Sequence, residues 1–139
     1  MAEPTVSYLI GRADRLVRAQ LEDVLLETEL SVSELTALSV LEGRPGLSNA
    51  RLARRSLVTP QAMHKVIRSL EERGLVRRTA APNGGRTLET VLTKAGAQKL
   101  RALRPRLCDA EDRALVALGA DDRAELLRLL ALVSSSTRS

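Results

Sequence analysis

The 139-residue chain is 44% apolar and 28% charged, which places it among single globular domains and excludes a disordered or low-complexity chain. Its net charge is +5, and with no Trp, no Phe and one Tyr it lacks the aromatic platforms on which single-stranded nucleic acids stack. A single cysteine, Cys108, excludes an internal disulfide, and one histidine beside it cannot build a metal site, so neither metal nor cofactor is expected.

Residues 5–28 read as a long helix, with Val6, Leu9, Ile10, Ala13, Leu16, Val17, Leu21, Leu25 and Leu26 at three- and four-residue steps. Ser31-Val-Ser-Glu34 is a capping-box pattern that opens a second helix, running to about Glu42, with Leu35, Leu38 and Leu41 on its apolar face. Gly43-Arg-Pro-Gly46 ends it. A short third helix follows Ser48, from Asn49 to about Ser56, and carries Arg51, Arg54 and Arg55.

After the tight connection Leu57-Val-Thr59 comes a helix that ends at Arg73. Thr59 suits its N-cap, Pro60 its first position and Gly74 a left-handed C-cap. Met63, Val66, Ile67 and Leu70 share one side, while Gln61, Lys65, Arg68 and Glu72 lie opposite, with His64 and Ser69 on the flanks. Alone, this pattern fits any amphipathic surface helix. Two short helices joined so closely are a helix-turn-helix, whose second helix enters the major groove.

Leu75–Thr79 and Thr87–Leu92 are β-prone segments around Pro-Asn-Gly-Gly, a hairpin whose Asn83-Gly84 supplies positive φ and whose tip carries Arg86. A hairpin in that place is a wing. Thr93 caps a helix from Lys94 to about Leu118, which Pro105 is expected to kink. Gly119-Ala-Asp-Asp122 precedes a last helix, Arg123 to about Val133, and Ser134–Ser139 reads as a frayed tail. The expected fold is mainly α with a small two-stranded wing: a winged helix-turn-helix core plus N- and C-terminal dimerisation helices. One domain covers 1–139, with 30–93 as the DNA-binding part and 5–28 and 94–135 as the dimerisation helices.

Charge is segregated along the chain. Arg44–Arg104 holds 14 Lys/Arg against Glu71, Glu72 and Glu89, a local charge of +11, and the remainder carries −6. A basic centre between acidic ends points to a polyanionic partner. The first helix and the last two offer more apolar face than the winged helix can cover, which suggests a dimer addressing two half-sites about one helical turn apart. No catalytic constellation is present: His64 has no nucleophile or acidic partner at hand, and no glycine-rich phosphate loop follows a strand, so the chain is not read as an enzyme. No apolar run is long enough for a membrane span and no leader opens the chain, so a cytoplasmic protein is expected.

Four stretches together resemble the MarR family of transcriptional regulators: Leu52-Ala-Arg-Arg-Ser-Leu-Val-Thr-Pro-Gln61, Leu70-Glu-Glu-Arg-Gly-Leu-Val-Arg-Arg78, Arg86 seven residues before Thr93, and Leu92-Thr-Lys-Ala-Gly96. The resemblance covers essentially the whole chain. It implies a triangular homodimer, built from the first and last two helices, that reads pseudo-palindromic DNA with the recognition helix and sets a wing arginine in the minor groove. By that resemblance Gln61, His64, Lys65 and Arg68 face bases or phosphates, and Arg86 is the wing arginine. Arg54, Arg55, Thr59 and Lys65 are expected on phosphates, Gln61 on adenine and Arg68 on guanine. The acidic residues that commonly flank the wing arginine are absent, with Ala81 and Gly84 in their places and Gly85 beside Arg86, so the salt bridge that steadies many wings is not expected.

The resemblance also implies a repressor released by a small-molecule effector, aromatic or phenolic in many relatives. Oxidant sensing through a first-helix cysteine does not carry over, because that helix has none; Cys108 is expected to be a plain buried thiol. The alternative reading is a non-catalytic winged-helix adaptor that has lost specific DNA binding.

Overall fold

In a computed structural model, which describes residues 2–44, 46–82 and 85–135, the chain folds as helices around one small sheet. The order is α1 (Val6–Leu25), α2 (Val32–Leu41), β1 (Leu47–Ser48), α3 (Asn49–Arg55), α4 (Pro60–Glu72), β2 (Val76–Ala80), β3 (Leu88–Leu92), α5 (Lys94–Ala114) and α6 (Ala120–Ser135).

Local capping sets most boundaries. Thr5, Ser31, Ser48, Thr59 and Thr93 each place a side-chain oxygen on a backbone N–H three residues ahead. Ser31 and Glu34 form the reciprocal capping box. Gly74 takes φ 72, the left-handed geometry expected after α4. α1 ends three residues before the expected 28, because the Thr28 hydroxyl donates to the Leu25 carbonyl at 2.7 Å and Glu29 turns to φ 61.

The largest fully buried side chains are Leu38 and Leu41 from α2, Leu52 from α3, and Met63, Ile67 and Leu70 from α4. Leu75 and Val76 at the root of the wing, and Leu100 and Leu103 of α5, complete this core. The helix-turn-helix is therefore seated on α2 from behind, and its polar side faces out.

The wing strands pair antiparallel with Val76 opposite Leu92 and Ala80 opposite Leu88. The sheet has a third strand that the sequence pattern did not show: β1 pairs with β3, Leu47 opposite Thr90 and Ser48 opposite Glu89. It ties the start of α3 to the wing. Asn83 and Gly84, expected to supply the positive φ of the turn, lie outside the described residues.

α5 is one helix through Pro105, which lies exposed, but it stops at Ala114 instead of near Leu118. α6 begins at Ala120 and reaches Ser135, so the first two serines of the expected tail are helical. Cys108 corrects an expectation: it is exposed, not buried. The buried line of α5 runs through Gly96, Leu100, Leu103 and Ala110, with Leu107 partly buried, and Cys108 stands about 100° round from Leu107.

The terminal helices carry apolar surface that this chain leaves uncovered. α1 buries only Val24 and Leu25, while Leu9, Ile10 and Leu16 are exposed. α6 buries no residue, and Leu127, Leu129, Leu130, Leu132 and Val133 are exposed.

Candidate nucleic-acid interface

α4 presents Gln61, His64, Lys65 and Arg68 to solvent, since Met63, Ile67 and Leu70 occupy the core side. Gln61, Lys65 and Arg68 have no side-chain hydrogen bond or ion pair within the described residues, nor do Arg51, Arg54, Arg55 and Arg86. On α5 and α6, Arg104, Arg106, Arg123 and Arg128 are matched to carboxylates, whereas Lys94, Lys99 and Arg101 of α5 have no such partner among the described residues. Unpaired cations on α3, α4 and the wing are poised for an external anion.

Thr59 is exposed, and its hydroxyl oxygen accepts from the Ala62 N–H at 3.1 Å. Its own proton stays free to donate outward, as a phosphate contact requires.

His64 and Arg86 line one cleft of about 500 Å³ between α3, α4 and the wing, together with Ser48, Asn49, Arg78 and Thr90. Asn49 was not singled out from sequence, where it reads only as the residue after a cap. Its amide donates to the Pro60 carbonyl at 3.2 Å and lies 3.5 Å from His64 Nε2, so it braces the first turn of α4 and the histidine together. Two buried polar atoms border this cleft without a hydrogen bond, Asn49 Oδ1 and Arg78 Nε. The nearest carboxylate to Arg78 is Glu71, at 3.9 Å. Among the described residues no carboxylate of the wing lies within ion-pair distance of this guanidinium.

Arg54 and Arg55 stand apart from that group. They line a second cleft of about 850 Å³ with Arg44, Arg51, Leu57 and Ser134, on the α2–α3 side. Leu57, in the turn between α3 and α4, is 89% exposed and sits at φ 62, a left-handed position that a leucine rarely adopts.

Behind α4 a polar cluster fixes its C-terminal end. Glu34 Oε1 accepts from the Ser31 N–H at 2.9 Å, and Oε2 accepts from the Ser69 hydroxyl at 2.8 Å and from Arg73 Nη2. Burial pushes the Glu34 carboxyl up, but the Ser31 amide, the Ser69 hydroxyl and the Arg73 charge outweigh it and hold the group below its ordinary value. The sequence showed Glu34 only as a capping-box partner. Its second role depends on a residue 39 positions later, which no local pattern reports.

A two-helix turn braced on a third helix, a wing beside it, and free cations on the outward helix together define a winged helix-turn-helix DNA-binding protein. Comparison with known proteins narrows the class. Residues 28–87 match the model of the MarR family. The chain is 35% identical over 130 residues to the HTH-type transcriptional repressor Rv2887 of Mycobacterium tuberculosis, covering 94% of each chain. It belongs to the MarR family. A solved structure of Rv2887 with p-aminosalicylic acid superposes with a TM-score of 0.80 at 34% identity, covering 95% of this chain and all of that one. One of Rv2887 complexed with DNA has a TM-score of 0.77 at 32% identity, covering 96% of this chain and 100% of that one. Apo MarR from E. coli shares the fold, with a TM-score of 0.82 at 21% identity over 96% of this chain and 98% of that one.

Proposed function

We propose that the chain is a homodimeric, sequence-specific double-stranded DNA-binding repressor, released from its operator by a small-molecule effector. The observation that carries this reading is the unpaired set Gln61, Lys65 and Arg68 on α4, with His64 and Arg86 sharing the adjoining cleft. The likeness to a repressor solved both with DNA and with p-aminosalicylic acid supports it, and extends to this chain an effector of the small aromatic acid class. Residues 30–93 form the DNA-binding part, and 5–28 with 94–135 form the dimerisation helices. The exposed apolar faces of α1 and α6 are the surfaces a twofold partner would cover.

Arg54, Arg55, Thr59 and Lys65 hold phosphates and set register, while Gln61 and Arg68 read base edges and His64 lies between the helix and the wing. No step of this mechanism is catalytic. No described helix is long and apolar enough to cross a membrane, in keeping with a regulator that works in the cytoplasm.

Selection of bound sequences from random duplex DNA, repeated with and without salicylate, tests the reading directly. Affinity for the selected duplex should fall steeply with salt through counterion release, and a salt-independent or absent interaction would favour the adaptor alternative. On that duplex, Arg68→Ala is expected to cost about 1–3 kcal/mol and to relax base preference at one position per half-site. Equal weakening on every sequence would make Arg68 a phosphate contact instead. Arg86→Ala should weaken binding most where the flanking minor groove is narrow and A·T-rich; the same loss on all flanks would remove groove-width reading from the wing.

A further inference from the structure

The polar cluster behind α4 reaches beyond α2. Arg73 Nη1 donates to the Glu29 carbonyl at 2.9 Å, its Nε to the Ser69 carbonyl at 3.4 Å, and its Nη2 to the Ser69 hydroxyl at 3.2 Å and to Glu34. Glu29 lies in the turn that leaves α1, and its φ of 61 is one that a non-glycine residue rarely adopts. The turn is further shaped by Thr28, whose hydroxyl accepts from the Leu30 N–H at 3.2 Å. One guanidinium thus grips the exit of α1, the first turn of α2 and the last turn of α4.

We propose that Arg73 and Glu34 are positioning residues that transmit the placement of α1 to α4, and so set the separation at which the two recognition helices of a dimer meet DNA. The inference rests on the dimeric DNA-binding reading. The apolar seat of α4, through Met63, Ile67 and Leu70, resists lifting the helix off the core but is non-directional. A planar guanidinium with several fixed acceptors is directional, and it refers the helix end to the α1–α2 turn. α1 packs on α5 of its own chain, where Arg113 donates to Gln20. Before Val24, however, none of its residues is fully buried and Leu9, Ile10 and Leu16 stay exposed, so its placement also answers to whatever covers that apolar face. In the dimer that is the partner. Displacement of α1 against the partner then reaches α4 through Arg73. Neither clamp residue belongs to the outward group of Gln61, His64, Lys65 and Arg68, so the effect is one of placement and not of DNA contact.

The test uses the duplex selected from random DNA, with its half-sites moved apart or together by one base pair, and a duplex carrying a single half-site. Wild-type protein should prefer one spacing. Arg73→Gln should flatten that preference, losing roughly 2- to 30-fold affinity at the selected spacing while keeping wild-type affinity for the single half-site. Arg73→Lys, which keeps the charge but cannot reproduce the fork, should fall between the two. Ser69→Ala, which removes one bridge and leaves the ion pair, should shift the preference in the same direction by less. Equal losses on every duplex, the single half-site included, would reduce the clamp to an ordinary stabilising contact and overturn the proposal. So would an unchanged spacing preference in folded Arg73→Gln. Should Arg73→Gln fail to fold, unchanged spacing in both Arg73→Lys and Ser69→Ala overturns it equally. A wild-type protein that is monomeric or shows no spacing preference would remove the dimeric reading beneath it, a result distinct from failure of the clamp.

Discussion

Gly96→Ala is expected to destabilise the protein by about 3 kcal/mol, at the upper end of what overpacking a well-filled site costs. A methyl group at Gly96 would overlap the Leu75 carbonyl oxygen and lie 2.7 Å from Leu92 Cδ1. The carbonyl has little room to retreat, because it accepts the Thr93 N–H at 3.2 Å. Thr93 is itself committed twice: its hydroxyl donates to the Gly74 carbonyl at 2.7 Å and accepts the Gly96 N–H at 3.1 Å. The exit of α4, the root of the wing and the start of α5 are therefore locked into one knot. Relief of the clash must open that knot and shift the wing against α4. Denaturant unfolding of Gly96→Ala beside Gly119→Ala checks this, since a methyl group at Gly119 meets nothing within 4 Å. A loss at Gly96 no greater than that at Gly119 would show that the contact is soft and that the close approach of α5 to the wing does not depend on it.

The same knot shows how much of the molecule could be read beforehand. Leu92-Thr-Lys-Ala-Gly96 stood out as a motif, but the need for glycine is visible only when the Leu75 carbonyl is brought beside it. Features encoded within a few residues were legible: Thr59, Pro60 and Gly74 around α4, the Ser31–Glu34 box, and the outward set Gln61, His64, Lys65 and Arg68. Each depends on local capping chemistry or on helical periodicity.

What was missed depends on tertiary neighbours. β1 has two residues, too few to show an alternation of period two, and exists because Leu47 finds Thr90. Asn49 braces His64 across 15 positions, and Arg73 closes on Glu34 across 39. Arg54 and Arg55 line a separate cleft with Arg44 and Arg51, a grouping across α2 and α3 that no local pattern reports. The burial of Cys108 depended on which line of α5 faces the chain, and the apolar residues around it did not distinguish that line from its neighbour.

The largest functional loss is expected from a substitution far from DNA, Leu127→Glu on α6. Leu127 is 72% exposed within one chain, so the change removes almost no packing from the subunit, and glutamate keeps good helix propensity. The subunit's own helix-turn-helix should fold as before. If α6 and α1 meet a twofold partner, the same change places a carboxylate in an apolar interface twice, once from each copy. Burying even one unpaired charge costs several kcal/mol, so the dimer constant should weaken by at least ~100-fold. Binding to the full operator should then fall in proportion to the lost dimer, because the second half-site is no longer engaged at high effective concentration. Affinity for a single half-site should stay near that of one wild-type subunit. Sedimentation of the free protein, with titrations on full and half operators, separates these effects. Leu127→Glu protein that remains dimeric with undiminished operator affinity would place the twofold contact elsewhere, and would leave the exposed faces of α1 and α6 to some other partner.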